Sequence, residues 1–148
     1  MKTLSHPATV AVLLGALLTG AAHALAPMPP VQHAGAVEYL SGGIGKDEAT
    51  AIELVTKQWP LTLEFAVKDK KRADFAADVN VLVRDARQHT VLQTTAQGPF
   101  LLARLHPGHY TVQAKFKDKT LHKQVTVRPN QPARAVFLWP AETENHRS

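Results

Sequence analysis

Few residues in this chain could make or break a covalent bond. Beyond the apolar N-terminal segment, serine occurs only at Ser41, inside a glycine turn, and at Ser148, and neither stands in a Gly-x-Ser-x-Gly elbow. There is no cysteine, which removes thiolate nucleophiles, thiolate metal ligands and disulfides. No His-x-x-Glu pair occurs, so the spacing that holds a catalytic zinc is missing. Histidine is what remains. His106 and His109 flank a Pro-Gly step and His122 follows on the next predicted strand, so a turn could bring imidazoles together around copper or zinc. Exposed turn histidines are the simpler reading, because His122 falls on an outward face well along its strand.

Two other groups have the chemistry of a site without its spacing. Asp69, Asp74, Asp78 and Asp85 cluster around loops, where calcium finds oxygen ligands, yet their intervals match no calcium motif and solvated loop acids are expected. Ser41-Gly42-Gly43-Ile44-Gly45 precedes a short predicted helix and could offer N–H groups to a phosphate. No Lys-Ser/Thr pair follows, and Asp47 and Glu48 would repel the anion, so a structural turn is expected. No catalytic residues and no cofactor are assigned.

The elements that must position these residues are mostly strands. Leu61, Leu63, Phe65 and Val67 alternate with Thr62, Glu64 and Ala66, the period of a strand with one buried face. Val79, Val81 and Val83 repeat the pattern, Asp85 to His89 turn the chain, and Thr90 to Ala96 return it. Phe100 to Leu105 is apolar throughout, which suits a strand buried on both faces or a crossover between sheets. Pro107 sets φ for the first corner of a tight turn, Gly108 is expected to take the positive φ of the second, and an alternating strand leaves from Tyr110. A two-residue turn at Asp118-Lys119 would set Phe116 against Leu121, Val112 against Val125 and Tyr110 against Val127, with Lys123 the one cation on the apolar side. Arg134 to Trp139 alternate in a last strand that Pro140 ends. The Phe100 and Arg134 segments are the expected sheet edges. Before these strands, Ile52, Val55 and Trp59 recur at helical spacing behind Asp47 and Glu48, which predicts a helix over 46–58 with one docking face.

The outer face of the predicted hairpin carries Thr111, Gln113, Lys115, Thr120, His122, Gln124 and Thr126, a polar surface of the kind that binds sugars. Phe65, Tyr110 and Phe116 all fall on the inward phase, so a stacking platform would have to come from Trp59 or Trp139. Trp59 reads as a helix-to-core plug, and the placement of Trp139 is open.

An alternating strand, Val79 to Asp85, a Gly98-Pro99-Phe100 approach strand and Leu105-x-Pro107-Gly108-x-Tyr110-x-Val112 together resemble the carboxypeptidase regulatory-like domains, small sandwiches of the transthyretin-like kind. The resemblance spans roughly 61–139. The hairpin glycines common in such domains are absent, with Gln88 and Lys119 near their places. What it implies is a fold and an accessory, non-catalytic role.

The beginning of the chain reads as an export signal over 1–24: Lys2, an apolar stretch from Ala8 to Leu18, and Ala22-His23-Ala24. That stretch is too short to span a bilayer. The net charge of +5 becomes +4 once Lys2 leaves with the signal, a balance that can favour acidic glycans or headgroups but ordinarily describes a solvated surface. The densest basic run is Lys68-Asp69-Lys70-Lys71-Arg72. The expected organisation is a Pro/Gly-rich extended leader over 25–45, a sandwich domain over 46–140 and a polar tail over 141–148. The expected fold is all-β: an immunoglobulin-like or transthyretin-like sandwich of about seven antiparallel strands with one short N-terminal helix. The expected function is a non-catalytic, periplasmic interaction or structural module whose partner is another envelope protein, with no nucleic acid and no membrane span. The alternatives are a module binding a divalent metal through His106, His109 and His122 or an acidic glycan, and an enzyme of unknown class.

Overall fold

The computed structural model describes residues 27–68 and 73–141. The segment expected to be an export signal, the start of the expected leader, the basic run from Asp69 to Arg72 and the segment from Glu142 lie outside the described residues.

The chain is an all-β sandwich with one short helix. Its strands are β1 (Gln32–Ala34), β2 (Val37–Gly42), β3 (Leu61–Lys68), β4 (Ala73–Phe75), β5 (Val79–Asp85), β6 (Thr90–Ala96), β7 (Phe100–Ala103), β8 (Gly108–Phe116), β9 (Lys119–Val127) and β10 (Ala133–Trp139). One sheet runs β1-β2-β7-β3-β10 with β4 also paired to β3, and the other runs β6-β5-β8-β9. Between them lies the main core, in which Leu61, Leu63, Phe65, Leu101 and Phe137 face Val79, Val81, Val83, Leu92 and Val112. Two seams tie the layers. At one, the Trp139 indole N–H donates to the Lys119 carbonyl at 3.0 Å. At the other, the Tyr39 and Thr94 hydroxyls meet at 3.0 Å, and the buried Ser41 Oγ accepts from the Gln97 N–H at 2.6 Å.

The six-stranded sheet is covered on its other face as well. Helix α1 (Lys46–Val55), continued by a 3-10 turn at Thr56–Gln58, lays Ile52 and Val55 over Leu40, Phe100 and Leu102, with Trp59 completing the cluster. This is why Phe100 to Ala103 carries no polar residue: its odd and even side chains enter two different cores.

Several expectations need correction. Among the described residues there are ten strands, not about seven, and β10 pairs with β3 in parallel, while every other pair there is antiparallel. The chain leaves β9 by crossing to the other sheet, and Ala133 N–H donates to the Pro60 carbonyl at 2.9 Å, so β10 enters at the same end as β3 and runs alongside it. Most of the predicted leader is folded: β1 and β2 form a hairpin, and β2 pairs with β7 from Tyr39↔Ala103 to Gly42↔Phe100. That pairing makes β7 an inner strand, not an edge; the edge expected at Arg134 is β10.

The β8–β9 register also differs. Phe116 pairs with Lys119, Ala114 with Leu121, Val112 with Lys123 and Tyr110 with Val125, so the turn is Lys117-Asp118, with Lys117 at φ 52°. A two-residue shift leaves every side chain on its face, so the inward and outward sets survive while the partners change. Lys123 stays on the apolar phase and places its ammonium 5.8 Å from the Phe137 ring centroid. Gly108 does not take the positive φ expected of it. It already belongs to β8, and the bend falls on Pro107.

Backbone strain sits at non-glycine turn positions. Gln88 has φ 66° in the β5–β6 turn, which Asp85 holds by accepting from the Arg87 and His89 N–H groups, each at 2.9 Å. Replacing Gln88 with Gly removes the Cβ that disfavours this conformation, and should raise stability by about 0.5–1 kcal/mol in urea denaturation. Gly98 is opposite in character. A Cβ there would overlap the Gly42 carbonyl across the junction of β2 with the β6–β7 turn, where neither backbone can withdraw. Gly98→Ala should therefore destabilise by about 1–3 kcal/mol in the same measurement.

Candidate binding surface

Helix α1 covers only part of the outer face of the six-stranded sheet. Beyond it the register sets Leu138 on β10 beside Ala66 on β3, and Ala66 beside Phe75 on β4, so the three share one face across three adjacent strands. Val136 lies one outward position before Leu138 on β10 and pairs with Glu64, while the Phe75 ring stands 6.4 Å from that of the buried Phe100. Phe75 is 60% exposed, Leu138 47% and Val136 41%. Ala66 between them is buried, so the exposed apolar groups are Phe75 on one side and Val136 with Leu138 on the other; singly such residues are ordinary, and together on neighbouring strands they make an apolar patch. It borders β10, whose other edge has no strand paired to it among the described residues.

A charged cluster closes the row on the helix side. Arg134 donates from Nη1 to Glu53 Oε2 at 3.0 Å, from Nη2 to Glu53 Oε1 at 2.8 Å, and from Nη2 to Glu64 Oε2 at 2.6 Å. These contacts pin α1 to β10 and β3. The hydrogen bonds from Arg134 hold the Glu53 carboxyl below its ordinary value, and the two carboxylates hold the guanidinium above its own.

The predicted site residues do not converge. His109 Nδ1 lies 3.0 Å from Thr126 Oγ1, His122 pairs across from Gln113 further along the same ladder, and His106 sits in the loop before β8, where its carbonyl accepts from the Tyr110 hydroxyl at 2.6 Å. Four ladder positions separate His109 from the pair holding His122, roughly 14 Å along the strand. Among the described residues, no group of three or more histidines, aspartates or glutamates gathers as a metal site would require. The reading of His106, His109 and His122 as one metal set is corrected by that strand spacing. Tyr110 instead acts as a corner brace, and burial, reinforced by Asp85, pushes its phenol up.

Of the aspartates, Asp85 caps its turn and Asp78 takes φ 60° before β5, while Asp69 lies outside the described residues. The glycine turn ahead of α1 does meet an anion: Glu48 Oε1 accepts from the Gly43 N–H at 2.7 Å. The chain thus supplies its own carboxylate where a phosphate was considered. Trp59 is a core plug as expected, and Trp139 is fully buried among Phe65, Phe116 and Phe137. Neither offers a stacking shelf to the polar outer face of β8 and β9. The apolar patch is not legible in the sequence, because no pattern marks the short strand that carries Phe75 and the alternation of 134–139 does not fix which strands lie beside Leu138. The signal that bears on it is the period of β10 itself, Arg134-x-Val136-x-Leu138, apolar on the phase opposite to the core.

No protein-family model and no curated protein matches this chain. The fold and its surfaces are therefore the ground for any functional reading.

The Arg134 cluster sets a pH dependence. A depressed Glu53 value means that the folded chain holds the carboxylate more firmly than the unfolded chain does. This contribution is complete above the ordinary glutamate range and is lost as pH falls through the depressed value. Both partners are more than a third exposed, so its size is below about 1 kcal/mol. Arg134→Gln should lower the urea midpoint at pH 7, and the gap to the parent chain should close by pH 3.

Proposed function

We propose that this protein is a non-catalytic interaction module of the bacterial envelope, exported to the periplasm and docking another envelope protein through the outer face of its six-stranded sheet. The observation that carries the reading is the exposure of Phe75, Val136 and Leu138 on one face of the six-stranded sheet, beside the open edge of β10. Apolar side chains arrayed on a rigid sheet lose little freedom on binding, which favours a flat, specific contact. The exposed Lys68 lies at one end of the patch and the chain as a whole is basic, which favours a partner surface that is apolar at its centre and carries acidic groups towards the Lys68 side. The resemblance of Leu105-x-Pro107-Gly108-x-Tyr110 and its neighbouring strands to carboxypeptidase regulatory-like domains supports the same reading, because such domains accompany function in larger assemblies. The export signal over 1–24 supports the periplasmic setting.

The test is affinity purification of the tagged full chain from its own envelope after brief cross-linking, with a Phe75→Ser, Leu138→Ser double variant run in parallel. Circular dichroism would first establish that the variant is folded. A protein partner retained by the parent chain and depleted at least about tenfold by the variant is the expected result. Equal recovery by both chains, or a homodimer as the species that the variant abolishes, would overturn docking to another protein at this face.

A further inference from the structure

At the end of the sandwich where β10 enters, three loops surround an open cleft of about 430 Å3. They are the turn from Lys57 into β3, the β7–β8 loop from Arg104, and the β9–β10 turn from Arg128. A volume of this size is within the range that small-molecule sites occupy, roughly 300–1,000 Å3. Trp59, Leu105 and Val127, all buried, line its depth, and the rim carries one cation from each loop: Lys57, Arg104 and Arg128. Among the described residues, no aspartate or glutamate lines it.

The loops are stiff. Pro60, Pro107, Pro129 and Pro132 all line the cleft, and each fixes its own φ. The Arg128-Pro129-Asn130-Gln131 turn closes with a bridge between its ends and Asn130 at φ 57°, as a proline-led turn with a left-handed third residue requires. Ala133 N–H binds the Pro60 carbonyl, which locks the first loop to the third. The cations therefore cannot relax far apart, and their positive potential is held in one concavity.

Arg104 is the most ordered of the three. Its guanidinium lies over the Trp59 ring, 4.2 Å from the centroid, and meets Glu38 Oε2 at Nε, 3.3 Å away. Nη1 reaches only a long 3.5 Å contact with the Gln58 carbonyl, and Nη2 has no partner among the described residues. Stacking holds the plane while a terminal donor stays open, the arrangement that receives a planar or tetrahedral oxyanion. Lys57 and Arg128 have no side-chain partner among the described residues, and the amides of Gln58, Asn130 and Gln131 add neutral donors around them.

We infer that this cleft binds a small oxyanion-bearing ligand, a carboxylate, phosphate or sulfate on a compact body, held by Arg104 with Lys57 and Arg128 at the rim. The site is at a loop end of the sandwich, apart from the apolar row of the sheet face, and stands or falls independently of it.

The experiment is a titration of the 15N-labelled full chain by heteronuclear NMR at constant ionic strength, with citrate, inorganic phosphate, sulfate and chloride as probes. Saturable shifts confined to residues 57–60, 104–107 and 127–132, including the Trp59 indole N–H, with at least one oxyanion and not with chloride, are expected. Saturation by citrate alone assigns a carboxylate ligand, and by phosphate or sulfate alone a tetrahedral one. Lys57→Gln and Arg128→Gln, neither of which removes a contact within the fold, should each weaken binding by about two- to fivefold. Arg84→Gln, on an exposed position of the other sheet, should leave it unchanged. Shifts spread over the whole basic surface, an equal response to chloride, or equal weakening by Arg84→Gln would overturn the site.

Discussion

The structure depends on a sheet that must be covered twice. Strand β7 sends Leu101 and Ala103 into the space between the sheets and Phe100 and Leu102 to the opposite side, so half of its apolar surface would face water in a plain two-layer sandwich. Helix α1 removes that cost by placing Ile52 on the second face, and Trp59 anchors the turn that leads from the helix into β3. Everything upstream of β3 follows from this requirement. The β1–β2 hairpin shields the side of β7, and the glycine turn from Gly42 to Gly45 brings the chain out of the sheet and over it. Glu48 folds back to accept from Gly43. A cysteine-free domain has no covalent staple, and the second small core does part of the work that a disulfide does elsewhere.

The same requirement explains what is left open. The helix is short, ending at Val55, and the sheet beneath it is wider than the helix can cover. The uncovered remainder falls on β10, β3 and β4, and there Phe75, Val136 and Leu138 remain exposed. Arg134 marks the boundary: its two carboxylate partners, one on the helix and one on β3, fasten the helix at its last turn and leave Val136 and Leu138 beyond. The end of the sandwich is organised differently, by prolines and loop-to-loop hydrogen bonds, and gathers charge where the sheet face gathers apolar surface.

Much of this architecture was legible in the residues, for definite reasons. Alternation in Leu61–Val67 and Val79–Val83 reports burial on one face, the unbroken apolarity of Phe100–Leu102 reports burial on two, and Ile52, Val55 and Trp59 report a docking stripe. The hairpin faces were legible but its pairing was not, because a shift of two residues preserves every facing, and the turn uses Lys117 at a conformation that favours glycine. The leader hid its strands behind prolines at 27, 29 and 30, all of which precede β1. The parallel placement of β10 and the meeting of Lys57, Arg104 and Arg128 depend on distant parts of the chain, and no local pattern encodes either. The histidines looked like a set because a turn joined them in sequence, while strand geometry spread them along a ladder.

Strand β10 is also the keystone of the order in which the fold can be completed. It contributes Phe137 and Trp139 to the main core, pairs with β3 along the whole length from Leu61 to Val67, and receives the helix through Arg134. A nascent chain that has made every earlier strand still has β3 unpaired along one edge, Phe65 without its aromatic neighbours and the helix without its latch. A chain that lacks this segment would leave Phe65 and the edge of β3 uncovered, the kind of exposed apolar surface and unpaired strand edge that makes a partly folded chain prone to aggregate. The last strand to be made is thus the one that closes both the core and the helix cover.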